Sequence, residues 1–434
     1  MRIHRDERGQ TIILVALSLP FLIGFVGMAT DVGFLFKDKR TIQTAADAAA
    51  IAAALNYNLG STVWKAAAKS AASSNGFTDG TDGVTVSTPD TPSWPTSNYY
   101  HRAGYEEVTV TKSVSTIFLS LFGYPSVTVT ARAVAALGPG TTCVYTLGAT
   151  GDDLNVNNGA TLTFNGCGIL DDSDSSNALT VTQGGHLTAG NIGIASSTWS
   201  SSEINNGGHI SPTPASGIAP ASDPLSYLTA PSYGTAGCHA GITINTTQTF
   251  NPASAGGVAC YNGVTIGGGA TVTIDNPGVF IVNGGLTIAN GATVTLGSGL
   301  YYITGTFSGQ GGSTIRGSSV TFYMSGTAAQ INLANGVNLN LSAPNSPDST
   351  YNGMLFWQDP TDPQPITIAG GANSTLQGAV YAPDAQLNVS NGTSTNIYLD
   401  LVVSSILSTG GSTINSYESL PNITPVLTAA ALVE

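Results

Sequence analysis

Three patterns of apolar and polar positions divide the chain. Residues 11–30, TIILVALSLPFLIGFVGMAT, run without one charged side chain. At ~1.5 Å of rise per residue this length matches a hydrocarbon layer ~30 Å thick, which predicts a transmembrane helix. Pro20, Gly24 and Gly27 lie inside it, and such helices tolerate them. A buried core helix and a cleaved signal peptide ending near Ala29 are the alternatives, although the run is longer than an ordinary signal core. From Thr41 the pattern becomes TIQTAADAAAIAAAL, with alanine at eight of the ten positions from 45 to 54. Alanine is the best helix former, so the helix is predicted to continue to about Asn56. Its small side chains would admit a second helix at close range. A plain solvent-exposed helix is the alternative.

The second pattern covers residues 57–140. VWKAAAKSAAS reads as a helix closed by Asn75-Gly76. Residues 78–97 read as loop with a short strand near 83–87. Residues 107–114 and 127–134 alternate apolar with polar positions, as half-buried strands do, with a helical turn at 117–122 between them. This predicts a small α+β adapter.

The third pattern fills residues 141–420. A phrase of Gly or Asn, Gly, a small residue, then alternating apolar positions recurs: NGATLTF at 158, GGHLTAG at 184, GGATVTI at 268, NGATVTL at 290, NGVNLNL at 335, GGSTI at 410 and others between. Most steps are 19–26 residues. Longer steps span a Pro-rich insertion at 212–231 and residues 344–365. A period near twenty with short strands and Gly/Asn corners predicts a parallel β-helix, expected to be right-handed. Gly and Asn suit left-handed backbone angles at the corners, and outward Thr and Asn suit polar ladders. A β-sandwich is the rival, but hairpin turns at 8–12-residue spacing are scarce. The expected organisation is therefore anchor and helical extension (1–56), adapter (57–140), β-helix (141–420) and C-terminal tail (421–434), mainly β overall.

The cysteines fit the rung spacing. Cys143 and Cys167 are 24 apart, and Cys238 and Cys260 are 22 apart. Residues one rung apart stack about 4.8 Å from each other, within disulfide reach. Of three formal pairings, Cys143–Cys167 with Cys238–Cys260 is the expected one. Two disulfides imply an oxidising compartment. No CxxC and no close His pair points to a metal, so no cofactor is expected.

Charge excludes one class of partner. Eleven of the twelve Lys and Arg lie at or before Arg132, and Arg316 is the only one beyond it, against fifteen Asp and Glu. A phosphate backbone needs several cations within reach, so no nucleic-acid partner is expected. At the anchor, Arg2, Arg5 and Arg8 precede the run and Lys37, Lys39 and Arg40 follow it, which leaves orientation undecided by charge. The short leading segment and the disulfide-bearing body place the N-terminus in the cytoplasm. Asp31, at the edge of the run, reads as the helix reaching water rather than as a carboxylate seeking a partner.

Parallel β-helices include carbohydrate lyases and hydrolases, whose chemistry needs carboxylates gathered on one face. Asp152-Asp153 and Asp171-Asp172-Asp174 read as solvated turns. Asp359, Asp362 and Asp384 are the remaining candidates. His186 and His209 hold equivalent rung positions, where chance is a better explanation than a metal. Tyr301-Tyr302 and Phe322-Tyr323 read as core. Phe356, Trp357 and Tyr381 stay open as candidate surface contacts to a glycan or other ligand. No catalytic residue is assigned, and an enzyme is not expected.

Glu7-Arg8-Gly9-Gln10, the apolar span, Asp31-Val32-Gly33 and RTIQTAADAAA at 40–50 together resemble the N-terminal domain of TadG-like proteins of the bacterial Flp (Tad) pilus-assembly machinery. The phrases GMLFWQDP (353–360) and LQGAVYAPDAQL (376–387) resemble C-terminal regions of some TadG-related proteins. The resemblance implies a single-pass inner-membrane protein tied to pilus assembly or attachment, with pilus components as partners and a periplasmic or cell-surface body. An adhesin without a pilus role and a β-helix carbohydrate-active enzyme are the alternatives. Prepilin-like substrates carry Glu five residues past the cut. Leu14 stands there, so prepilin processing is not expected.

Overall fold

A computed structural model describes residues 10–434 except 57–60, 102–104, 140–141, 219, 222, 253–256, 276, 347–348, 371–373, 391–395 and 418–427. Arg2, Arg5, Arg8 and the NGT repeat phrase at 391 lie outside the described residues. The chain forms two compact units, residues 1–138 with 429–434, and residues 139–428.

In the first unit, α1 (Gln10–Leu55) is one helix of 46 residues, long and apolar enough to cross a membrane. α2 (Ser61–Ser74) follows. β1 (Val84–Ser87), β2 (Tyr105–Ser115) and β3 (Ser126–Pro139) then form antiparallel neighbours. The strand Thr428–Leu432 completes a four-stranded sheet beside β3. Ala45, Ala46, Ala49, Ala50 and Ala53 recur on one face of α1, as the helical period requires. They are fully buried with Trp64, Ala68 and Ala72 of α2 and Val108, Val110, Ala131 and Ala133 of the sheet. Residues 1–56 and 57–140, expected as separate parts, thus share one core, and part of the expected 421–434 tail is a sheet strand. The reason is the alanine face, which is flat enough to let α2 and the sheet lie close.

The second unit is a parallel β-solenoid of about 11 turns. Each turn has three short strands, for example Val264–Ile266, Thr271–Ile274 and Gly278–Val282. Each strand pairs in parallel with its counterpart one turn on, Leu286–Ile288, Thr293–Leu296 and Gly299–Ile303. Corners use the expected residues: Asn158 and Gly159 both have positive φ, 50° and 75°. At Gly208 the reason is space, because an added Cβ would stand 2.0 Å from the Val181 carbonyl of the turn below.

The turns do not stack in chain order. Thr142–Thr146, the first solenoid strand, pairs on one side with Gly168–Asp171 and on the other with residues 401–403 of the strand Asn396–Ser408. The chain therefore enters mid-stack, builds three turns toward one end, and continues from the opposite end at Ile242–Ile244. Residues 217–241 connect the two ends. With turns about 4.8 Å apart, the connection spans roughly 50 Å, well within its extended reach of roughly 80–90 Å.

This connection is a strap along one face. The Ile218 amide donates to the Ile194 carbonyl (3.2 Å), and the Ala221 amide to Asp172 Oδ1 (2.8 Å). Tyr381 Oη donates to Asp223 Oδ2 (2.7 Å). Leu225 is buried against the sheet, and Tyr233 meets Tyr302 edge-on at 5.6 Å. Cys238, bonded to Cys260, fixes the far end. Under the strap runs an outward-facing column in register: Tyr145, Val402, Tyr381, Trp357, Tyr323, Tyr302, Ile281 and Cys260. The next position inward gives Val144, Leu401, Val380, Phe356, Phe322, Tyr301 and Phe280, all in the central core.

Candidate functional site

The site residues read from the sequence fall into separate places. Cys143 pairs with Cys167 (Cα–Cα 5.7 Å) and Cys238 with Cys260 (4.7 Å), each across neighbouring turns. Phe356 points into the central core, while Trp357 and Tyr381 face outward, with rings 6.1 Å apart, and pack in the outer cluster with the strap and with Tyr351, whose ring meets Trp357 edge-on. All three are at most 2% exposed, so they lie buried rather than at the surface expected for them. Tyr302 and Tyr323 are also buried, but in the outer cluster rather than the central one.

The acidic turns are not simply solvated. Asp171 is an inward-facing position of its strand and is fully buried, and Asp153 is 4% exposed. Asp171 Oδ1 accepts from the Ser173 amide (3.1 Å). Burial pushes its carboxyl up to about 8, and the neighbouring Asp153 charge adds to the rise. Burial, then Asp152 and Asp172, push Asp153 up to about 7. Asp152 accepts from Thr180 Oγ1 and Asn155, and Asp172 from the strap. Asp362 is buried, its carboxyl raised to about 6 by desolvation, and accepts from the Gln364 amide. Asp153, Asp171 and Asp362 are thus enclosed, while Asp152 and Asp172 are half-buried. Asp384 is exposed.

His186 and His209 do occupy equivalent positions, with exposed rings stacked 5.2 Å apart and nearly parallel. Among the described residues, no group of three or more His, Cys, Asp or Glu is placed to hold a metal. The rest of that solenoid face is a polar ladder, Thr273, Thr295, Arg316, Asn340 and Thr375 in register. A cleft of about 430 Å³ lies elsewhere on the solenoid, lined by Ser298, Ser319, Thr321, Asn345 and Tyr351 among others. Its described lining carries no His, Cys or carboxylate.

In the first unit the apolar side chains stay outside. Leu17, Phe21, Phe25 and Val26 of α1 are more than half exposed, and Phe34 and Phe36 continue the band to the first cation, Lys37. The face of α1 that admits a close helix is already occupied by α2. Asp31 is only 2% exposed. It does not simply reach water: Oδ1 accepts from the Ile117 amide (3.0 Å), and Oδ2 from the amides of Phe118 (2.8 Å) and Leu119 (2.7 Å). These are the free N–H groups opening the 3-10 helix Leu119–Phe122, which a carboxylate satisfies well. Sequence reasoning missed this partner because it sits 86 residues away.

Residues 9–56 match the family described as putative Flp pilus-assembly TadE/G-like. The match covers the whole of α1, including the apolar band, Asp31 and the alanine face. No curated protein and no solved structure matches the chain.

Proposed function

We propose that this is a membrane-anchored structural protein of the bacterial envelope, associated with Flp/Tad pilus assembly or surface attachment, and that it is not an enzyme. The observation that carries the reading is the TadE/G-like domain on a helix whose apolar band is exposed. The helix is a single-pass anchor in the inner membrane, with its N-terminus cytoplasmic and the disulfide-bonded solenoid in the periplasm or at the cell surface. Disulfides support that side, since they persist in oxidising compartments. Pilus components are the expected partners of the outer face of α1, because its alanine face is taken. The polar ladder of the solenoid suits contact with a glycan or another surface.

The carboxylates support the non-enzymatic part. A glycoside hydrolase needs two carboxyl groups flanking a bond in an open groove. Here the strongly perturbed ones, Asp153 and Asp171, lie inside the stack. The test is fractionation of producing cells followed by protease treatment of intact spheroplasts. The expected result is a membrane-bound chain whose solenoid is clipped from outside. A soluble chain, or a body protected within the cell, overturns the reading.

A further inference from the structure

The tip that joins β2 to β3 has an unusual composition for a surface turn. From residue 113 to 131 the chain has no charged side chain. Its centre reads IFLSLFGY (117–124), and four of those side chains are widely exposed: Ile117 62%, Leu121 80%, Phe122 63% and Tyr124 64%. Gly123, at φ 89°, closes the 3-10 turn that presents them. Apolar side chains gathered on one protruding turn mark a contact surface.

The position of the tip identifies the occupant. Asp31 holds three of its backbone amides. The Phe118 ring packs on Gly27, so closely that an added Cβ would stand 2.4 Å from it. The tip is thus locked beside residues 27–31 of α1, the end of the 11–30 apolar run. The band of exposed apolar side chains on α1 extends past it to Phe36, before Lys37, Lys39 and Arg40 begin. The one charge in this stretch, Asp31, is spent on tip amides rather than presented to lipid.

We propose that residues 117–124 form a second membrane contact, seated in the interfacial layer of the bilayer beside α1. The inference rests on α1 being the anchor. Leu121 and Phe122 then lie among the acyl chains, and Tyr124 sits at the headgroup level that tyrosine prefers. Lys37 and Arg40, about two turns further along α1, meet the lipid phosphates, while Lys39 donates to the Thr130 carbonyl. Two points of attachment would stop the first unit from swivelling about a lone helix.

The test uses the full chain in vesicles of phosphatidylethanolamine and phosphatidylglycerol doped with nitroxide lipids. An environment-sensitive fluorophore is placed in turn at Leu121→Cys, Phe122→Cys, Val26→Cys and Ser74→Cys. We expect both tip probes to shift to the blue and to be quenched more by shallow than by deep nitroxides. Val26→Cys, one residue from the Gly27 seat of the tip, should be quenched by the lipid nitroxides as well, and Ser74→Cys should respond only to an aqueous quencher. If Val26→Cys is quenched by lipid while both tip probes remain water-exposed, the tip contact is wrong and the anchor stands. If Val26→Cys is itself water-exposed, the anchor fails and the tip proposal falls with it.

Discussion

Trp357 and Tyr381 face outward from their strands and are 2% exposed, whereas Phe25 and Leu121 in the first unit are 66% and 80% exposed. Both regions carry an outer apolar surface, but only one covers it from its own chain. In the solenoid the strap of residues 217–241 lies over the aromatic column and is tied at its end by Cys238–Cys260. In the first unit the alanine face of α1 is covered by α2 and the sheet, while the band from Leu14 to Phe36 and the 117–124 tip are not. A surface that folding leaves apolar needs another solvent or another molecule. The solenoid thus covers its outer apolar column with its own chain, whereas the first unit leaves its apolar band and tip exposed, and the proposed bilayer contact is what would cover them.

The largest effect should come from uncovering the solenoid. Leu225→Asp places a carboxylate in the buried cluster that holds the outer aromatic column, and removes a fully buried leucine as well. The combined cost is about 4 kcal/mol. The strap should then detach and be cut rapidly by protease, with Trp357 fluorescence moving to the red. A strap as resistant as the parent's would show that the column is covered by something other than Leu225 packing.

The strap also shows where sequence reading ends. The turn period, the corner residues and the disulfide pairs were legible because each depends on neighbours about one turn away. The order of turns was not. One turn edge resembles another, so nothing local says that Val144 lies beside Leu401 rather than at a free end. A signal for the outer column was present but unread. Gly299–Ile303 (GLYYI), Val320–Met324 (VTFYM) and Met354–Gln358 (MLFWQ) are continuously apolar or nearly so, and a strand of that kind is buried on both faces. That pattern was enough to put Trp357 under a cover rather than leave it open as a surface contact. It was not enough to find the cover in a Pro-rich insertion. Asp153 and Asp171 misled for a related reason: their Ser/Asn/Gly surroundings resemble a solvated turn, and only the stacking of turns encloses them.

A second measurement sharpens the contrast by pH, since the enclosed carboxyls belong to the solenoid alone. The folded state raises Asp171 from 3.8 to about 8 and Asp153 to about 7. A raised carboxyl binds its proton more tightly when folded, so its favourable contribution is intact below about pH 4 and lost as pH climbs toward 8. The solenoid should unfold more readily in denaturant at pH 8 than at pH 5. Asp171→Asn should flatten that slope and add roughly 2–3 kcal/mol at pH 8, with little change near pH 4. Equal midpoints for parent and variant at pH 8 would mean that Asp171 is ionised at little cost in the fold.

The smallest expected effect is the most local. Glycine to alanine within a helix ordinarily gains up to about 1 kcal/mol. At Gly24 nothing lies within 4 Å of the added Cβ, so Gly24→Ala should leave the first unit unchanged or slightly steadier. At Gly27 the same methyl meets the Phe118 ring at 2.4 Å. The ring must swing away, at a cost of about 1–2 kcal/mol, and the tip then loses its close seat on α1. Gly27→Ala should reduce lipid quenching of the Leu121→Cys probe while the Val26→Cys probe and the unfolding of the solenoid stay as they were. Equal behaviour of Gly24→Ala and Gly27→Ala would mean that the Asp31 hydrogen bonds alone hold the tip. The divided response is the expected one, because a carboxylate fixes the backbone at residues 117–119 but leaves the depth of the turn to how closely Phe118 can approach the helix.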